Sequence, residues 1–212
     1  MDVRETYHDL VRRDVFPLLP QRVGAVLDFG GGVGATSSDL RVTGRAERAV
    51  LFDQVAHNAL PAIDTIEALN LDDREAVAAA LARTGPFDTI LALDILEHLV
   101  DPWATVALLD KALRPGGSLI VSVPNVNNLA VVAPLVLRGR FEYRDAGVLD
   151  RTHLRWFTRK SAIDLATCSG LKLEATSANF SGRRNRYANL ATLRLFERFF
   201  AVQVKMRVRK TG

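Results

Sequence analysis

The sequence predicts an α/β domain, a doubly wound and mostly parallel sheet with helices on both faces. Three observations predict it. First, short apolar runs recur along the chain, at Ala25-Val26-Leu27, Ala49-Val50-Leu51-Phe52, Phe87 to Leu93 and Ser118 to Val123. Second, stretches with helical spacing separate them, and strands alternating with helices need crossovers that lay the strands parallel. Such crossovers are right-handed, so the strand ends gather along one edge. Third, the first run ends in Asp28 and the cluster Gly30-Gly31-Gly32-Val33-Gly34, followed at once by a helical stretch. Glycines there bring bare backbone N–H groups to the crevice above the strand ends, where ligands of such sheets settle. Asp28 reads as a carboxylate aimed into that crevice.

The 212 residues are read as one domain, with an N-terminal helix over 5–19 and a lid-like insertion at about 124–158. The helix has apolar positions at Tyr7, Leu10, Val11, Val15 and Leu18; Tyr7 and Arg13 either face the ligand or are a packed aromatic and a surface charge. Ala49 to Asp53 is the second strand, and a carboxylate at such a tip can accept from two ribose hydroxyls. Residues 54–60 begin a helix. Thr65 to Leu69 is the third strand, and Asn70, Leu71 and Asp72 follow it, placed to read an adenine edge; Asp72 is equally a helix N-cap. Phe87 to Leu93 is the fourth strand, leading into Asp94-Ile95-Leu96-Glu97-His98-Leu99. Asp101-Pro102 opens a helix, Arg114-Pro115-Gly116-Gly117 closes it, and Ser118 to Val123 is the fifth strand. The insertion is dense in charge and aromatics, as functional loops often are. Leu129 to Leu137 is a short helix within it, and another opens at Thr158 and stops at Gly170. Leu171 to Thr176 is the sixth strand, residues 186–199 a helix, and Val202 to Arg209 an alternating last strand with one apolar and one basic face.

Composition narrows the function. Charged residues make up 25% and apolar ones 48%, the balance of a folded soluble domain. The single Cys168 excludes an internal disulfide and fits a reducing compartment, and no apolar leader or 20-residue apolar span is present, so a cytoplasmic location is expected. The net charge of +4 gathers at Arg183-Arg184-Asn185-Arg186 and residues 205–210. It is either a solvated surface or a draw for an anionic partner. Nothing resembling a nucleic-acid motif accompanies it.

Taken together, the spaced motifs resemble those of class I S-adenosylmethionine-dependent methyltransferases, from about residue 5 to the end. Leu27-Asp28-Phe29-Gly30-Gly31-Gly32-Val33-Gly34 resembles the D-x-G-x-G-x-G cofactor loop. Phe52-Asp53 resembles the ribose-binding acid, Asp94 to Leu99 the fourth-strand motif, and Leu113-Arg114-Pro115-Gly116-Gly117 the L-x-P-G-G turn. The resemblance implies a Rossmann-like seven-stranded sheet of order 3-2-1-4-5-7-6 with the seventh strand antiparallel. It implies S-adenosyl-L-methionine as methyl donor and S-adenosyl-L-homocysteine as product. Gly30 and Gly32 would admit the methionine portion, Asp53 would hold the ribose, Asn70 and Leu71 would flank the adenine, and Asp94 would lie at the methionine end. Asn70 departs from a position where an acid is common. The stretch from Val123 through Asp150-x-Thr152-His153-Leu154-Arg155 resembles a subgroup acting on glycans and other small metabolites. The implied partner is therefore a small-molecule or glycan acceptor, with an anionic one admitted by Arg140, Arg144 and Arg155; a homodimer is left open.

Methyl transfer from a sulfonium is an in-line displacement with a good leaving group, so the protein mainly holds the nucleophile in line. An oxygen nucleophile must also lose a proton, and a histidine is a suitable base near neutral pH. His153 is the candidate; the alternative is a structural histidine bonded to Asp150. Phe141, Tyr143 and Trp156 either wall the acceptor pocket or pack beneath the lid. No metal site is expected. Other readings are N- or C-methylation, a nicotinamide-dependent oxidoreductase, or a non-catalytic partner subunit. Against the oxidoreductase, the glycines follow a strand-tip acid that would repel a pyrophosphate and do not fit G-x-G-x-x-G.

Overall fold

The computed structural model describes residues 10–55, 59–180, 187 and 196–211. Seven strands run in the order β3-β2-β1-β4-β5-β7-β6. They are β1 (Gly24–Phe29), β2 (Ala46–Asp53), β3 (Thr65–Ala68), β4 (Phe87–Leu93), β5 (Leu113–Pro124), β6 (Lys172–Phe180) and β7 (Ala201–Arg209). The first five pair in parallel, and β7 runs antiparallel to both β5 and β6. The helices are α1 (Ala35–Val42), α2 (Arg74–Thr84), α3 (Pro102–Ala112), α4 (Leu129–Arg138), α5 (Arg159–Ala166) and the single turn α6 (Glu197–Phe200). No helix among the described residues is long and apolar enough to cross a membrane.

Two cores explain the continuous apolar runs. On one face Leu27, Phe29, Val50, Phe52, Ile90 and Val121 pack under α2, α3 and α5. On the other, Val26, Leu51, Leu91 and Ile120 pack with Leu40 of α1 and with Val15 and Leu18 of a 3₁₀ turn, Arg13–Leu18. Successive strand residues point to opposite faces, so a strand covered on both sides must be apolar at every position. Burying each large aliphatic or aromatic chain contributes about 1.5–3 kcal/mol. In β1 only Asp28 breaks the run.

Several elements differ from the sequence reading. Within residues 10–19 only Arg13–Leu18 is helical, and as a 3₁₀ turn, because Pro17 and Pro20 leave no room for a longer ladder. Residues 54, 55 and 59–62 are turn and coil, not the start of a helix. The N-cap of α2 is Asp73, whose Oδ1 accepts from Ala76 N at 3.0 Å. Asp72 instead accepts from Val100 N at 2.8 Å, joining the loops after β3 and β4. The basic face of β7 is covered in part: Lys205 is 2% exposed and donates to Asp14 O and Asn179 Oδ1, each at 2.7 Å. Arg207 and Arg209 pair with Glu174. Lys205 is thus drawn into the fold, whereas Arg207 is half-buried and Arg209 stays exposed. The cluster Arg183 to Arg186, Tyr7 and most of the expected helix over 186–199 lie outside the described residues.

Candidate active site

The loop after β1 is built by three contacts. Gly30 N donates to Phe52 O at 2.8 Å, Gly34 N to Gly31 O at 2.9 Å, and Gly32 N to Asp53 Oδ2 at 2.7 Å. Gly30, Gly32 and Gly34 all have φ between 61° and 76°, which a side chain would strain. A Cβ on Gly30 would also run into Ile95, and one on Gly31 into the Asp28 carboxylate. Asp28 therefore does not point into the open crevice. It lies 2% exposed beneath the loop, where Oδ2 accepts from Ser37 Oγ at 2.7 Å and Ser37 N at 3.3 Å. Burial, opposed by the Ser37 bonds, pushes its carboxyl up to about 6. Its work is to shape the loop from below.

Asp53 stands at the tip of β2, half-buried, with Oδ1 accepting from Val55 N at 2.9 Å. One carboxylate thus spans both sides of the crevice's edge and can exchange loop N–H groups for ligand hydroxyls. Beyond β3, Asn70 is exposed and its Oδ1 accepts from Gln54 Nε2 and Asp72 N. The Leu71 side chain is buried in the core, so only its backbone is offered to a ligand.

At the end of β4 the structure corrects the choice of arginine. Arg13 points away, pairing with Asp39 at 2.9 Å. Its neighbour Arg12 turns inward: Nη1 binds Asp94 Oδ2, and Nε binds Asp14 Oδ1 at 3.0 Å. Asp94 also accepts from Ser122 Oγ at 2.8 Å and Gln203 Nε2 at 2.9 Å. It holds φ at 56°, a conformation that a non-glycine residue adopts only when its surroundings fix it. Asp14 is burdened by burial, yet the Arg12 bond and charge hold its carboxyl well below the usual range. A cation and an anion side by side beyond a glycine loop match a zwitterionic amino acid, and a strand-tip acid matches a ribose. The donor set therefore fits a nucleoside carrying an amino-acid end.

The insertion brings distant residues to the same edge. Leu154 N and Arg155 N both donate to Glu97 O, at 2.8 and 3.0 Å, and Val126 N donates to Phe157 O at 2.9 Å. These latches set His153 beside His98, with ring centroids 4.7 Å apart and edge-on. His153 Nδ1 faces Val148 O at 3.1 Å and His98 Nδ1 faces Thr152 O at 3.2 Å. A carbonyl only accepts, so each Nδ1 carries a hydrogen, and Nε2 is the ring nitrogen that can take up a proton or bind a ligand. His153 is not bonded to Asp150, whose Oδ1 is taken by Thr152 N and Oγ1. Burial lowers the pKa of His153, favouring the neutral base. Glu97, 1% exposed, has no hydrogen-bond partner on either carboxylate oxygen among the described residues, and burial raises its pKa well above the usual value. Asp94, Glu97, His98, His153 and Gln203 line one cavity of about 530 Å³, ample for a small ligand.

A second cavity of about 540 Å³ lies on the insertion, against Tyr143, Arg151, His153, Leu154 and Trp156. Phe141, Tyr143 and Trp156 form an aromatic trio with centroids 5.8–5.9 Å apart. Of the arginines expected to hold an anion, Arg155 spends its guanidinium on Leu154 O and Val100 O. Arg12, Glu97 and Gln203 were not singled out by the sequence. Arg12 and Arg13 are adjacent and indistinguishable by pattern, Gln203 lies on an alternating strand, and only Glu97 carried a signal, an acid that with His98 sits between Leu96 and Leu99.

A family model described as "Methyltransferase domain" matches residues 2–176. The chain is 26% identical over 175 residues to a protein of Cupriavidus pinatubonensis named ubiquinone biosynthesis O-methyltransferase, covering 77% of this chain and 70% of that one. It is 29% identical over 160 residues to a protein of the same name from Xanthomonas oryzae pv. oryzae, covering 70% and 66%. The chain thus spans about two thirds of the length of these relatives. A solved structure titled as a SAM dependent methyltransferase from Archaeoglobus fulgidus superposes with a TM-score of 0.64, at 13% identity, covering 99% of this chain and all of that one.

Proposed function

Since the chain belongs to the class I S-adenosylmethionine-dependent methyltransferases, we propose that its acceptor is a small molecule methylated on a hydroxyl oxygen, and that His153 Nε2 takes the proton. Bound above the strand ends, S-adenosylmethionine supplies an activated methyl group. Asp53 accepts from the ribose hydroxyls, Gly30 and Gly32 leave room for the methionine portion, and the Asn70 side chain with the Leu71 backbone flanks the adenine. Arg12 meets the methionine carboxylate and Asp94 the ammonium. The acceptor enters the cavity between Asp94 and His153, where the lid excludes water and holds the oxygen in line.

The observation that carries this reading is the His153 ring, which lines the acceptor cavity with Nδ1 committed to Val148 O and with burial lowering its pKa. The O-methyltransferase relatives support oxygen as the nucleophile. The subgroup-like stretch Asp150-Arg151-Thr152-His153-Leu154-Arg155 favours a second acceptor class, a glycan hydroxyl. Turnover would be measured on substituted catechols and on simple glycosides, with donor affinity measured by calorimetry. His153→Ala is expected to lower turnover at least a hundredfold with donor affinity unchanged. Unchanged turnover removes His153 as the base, and methylation only of amines removes the hydroxyl acceptor.

A further inference from the structure

We propose that Glu97, His98 and His153 form a binding site for a single divalent transition-metal cation, of the zinc or cobalt kind, at the floor of the acceptor cavity. Each of the three residues offers one ligand atom, and all three atoms lie within 4.8 Å of one another. The inference deepens the preceding reading and rests on this cavity being the acceptor site.

Three independent features point to a cation. The first is Glu97. Its carboxylate is buried with neither oxygen partnered among the described residues, although such groups are almost always satisfied. A metal ion is a natural partner for a carboxylate in this position. The second is the orientation of the histidines. Both turn Nδ1 outward to backbone carbonyls, Val148 O and Thr152 O, and this is the second-shell arrangement that fixes metal-ligating imidazoles. The third is the cavity, which leaves the remaining coordination positions open to solvent or substrate, as in catalytic and not structural sites.

Two imidazoles and one carboxylate select the kind of ion. Nitrogen donors suit zinc, cobalt and iron, whereas magnesium and calcium prefer all-oxygen sites. Tetrahedral bonds of about 2.1 Å place ligand atoms about 3.4 Å apart, so closing from 4.8 Å needs only side-chain rotation of about an ångström. His98 and Glu97 sit on one turn after β4, and His153 arrives from the lid, 55 residues later. The cation would therefore fasten the lid to the sheet and stand beside an incoming hydroxyl. In the loaded protein His153 Nε2 serves as a ligand, and it serves as the proton acceptor where no cation is bound.

Cation binding can be measured without turnover. The full chain, treated with chelator and desalted, would be titrated with Co²⁺ while its visible absorption is followed, and with Zn²⁺ against a chromophoric chelator. One equivalent is expected to bind, Mg²⁺ should not compete, and His98→Ala, His153→Ala and the isosteric Glu97→Gln should each weaken binding at least tenfold. Retained thermal stabilisation by S-adenosylmethionine certifies that each variant is folded. Wild-type protein binding no more Co²⁺ or Zn²⁺ than the His98→Ala/His153→Ala double variant overturns the site. That outcome leaves the methyl-transfer reading standing, whereas absent turnover with intact cation binding would overturn the latter alone.

Discussion

At the scale of single residues, burial decides the chemistry more than identity does. Asp28 and Asp53 are both strand acids, yet Asp28 is held under the loop with its ionisation pushed up to about 6, while Asp53 meets the crevice. The sign of the Asp28 effect follows from linkage. Between pH 3.8, where the unfolded chain loses this proton, and about 6, where the folded one does, the folded state holds more protons. Its stability contribution therefore falls as pH rises through that window and is flat above it. The shift corresponds to about 3 kcal/mol. Asp28→Asn should remove this slope: denaturant titrations at pH 4 and pH 7 are expected to show the variant gaining about 2 kcal/mol relative to wild type over the interval, and a constant difference would refute the assignment. Arg12 and Arg13 make the complementary case. Arg12→Ala removes the guanidinium from Asp94 and, on the proposed reading, from the donor's carboxylate, and should weaken S-adenosylmethionine binding about tenfold or more by calorimetry. Arg13→Ala, which loses only an exposed pair with Asp39, should leave it within about twofold.

Elements were legible in the sequence where burial acts on whole runs. Phe87 to Leu93 was read with the bounds it has, because a strand covered on both faces has no other composition available to it. The crossover helices were legible from their helical spacing, and the closing strand from its alternation. What the sequence hid was contact between elements. Nothing local distinguishes Asp72 from Asp73 as a cap, since the choice depends on Val100 N arriving from the next loop. Likewise, the apposition of His98 and His153 depends on latches to Glu97 O that no periodicity encodes. The alternation of β7 was clear, but its basic face was read as surface. The 3₁₀ turn of Arg13–Leu18 and the edge strand β6 instead take up Lys205, which holds three elements together, while Arg209 stays at the surface. Lys205→Met keeps the bulk but strands Asp14 O and Asn179 Oδ1. A loss of about 1–3 kcal/mol in chemical denaturation is expected, with S-adenosylmethionine affinity also reduced because Asp14 helps hold Arg12. Stability equal to wild type would show that Lys205 is dispensable to that junction.

For the whole molecule, the order of the sheet determines where everything meets. The chain reverses direction in strand order between β1 and β4, and the crevice opens at that switch point. The glycine loop stands over β1, Asp53 over β2, and Asp94 with Glu97 and His98 beyond β4. The N-terminal segment reaches the same edge through Arg12, and Gln203 reaches it from β7. A ligand spanning this edge contacts elements drawn from both ends of the chain, so its binding must stabilise the fold as a unit. A donor present at a hundred times its dissociation constant adds about 2.7 kcal/mol. For a domain of this size, each kcal/mol raises the melting temperature by about 2–4 °C. S-adenosylmethionine should therefore raise it by about 5–10 °C in a thermal melt, and the homocysteine product should act in the same direction. A nicotinamide dinucleotide should have no effect, because its pyrophosphate would have to lie beside Asp53 and over the buried Asp28. Equal shifts with the dinucleotide would mean that the crevice does not discriminate by charge, and the assignment of its acids would fail with it.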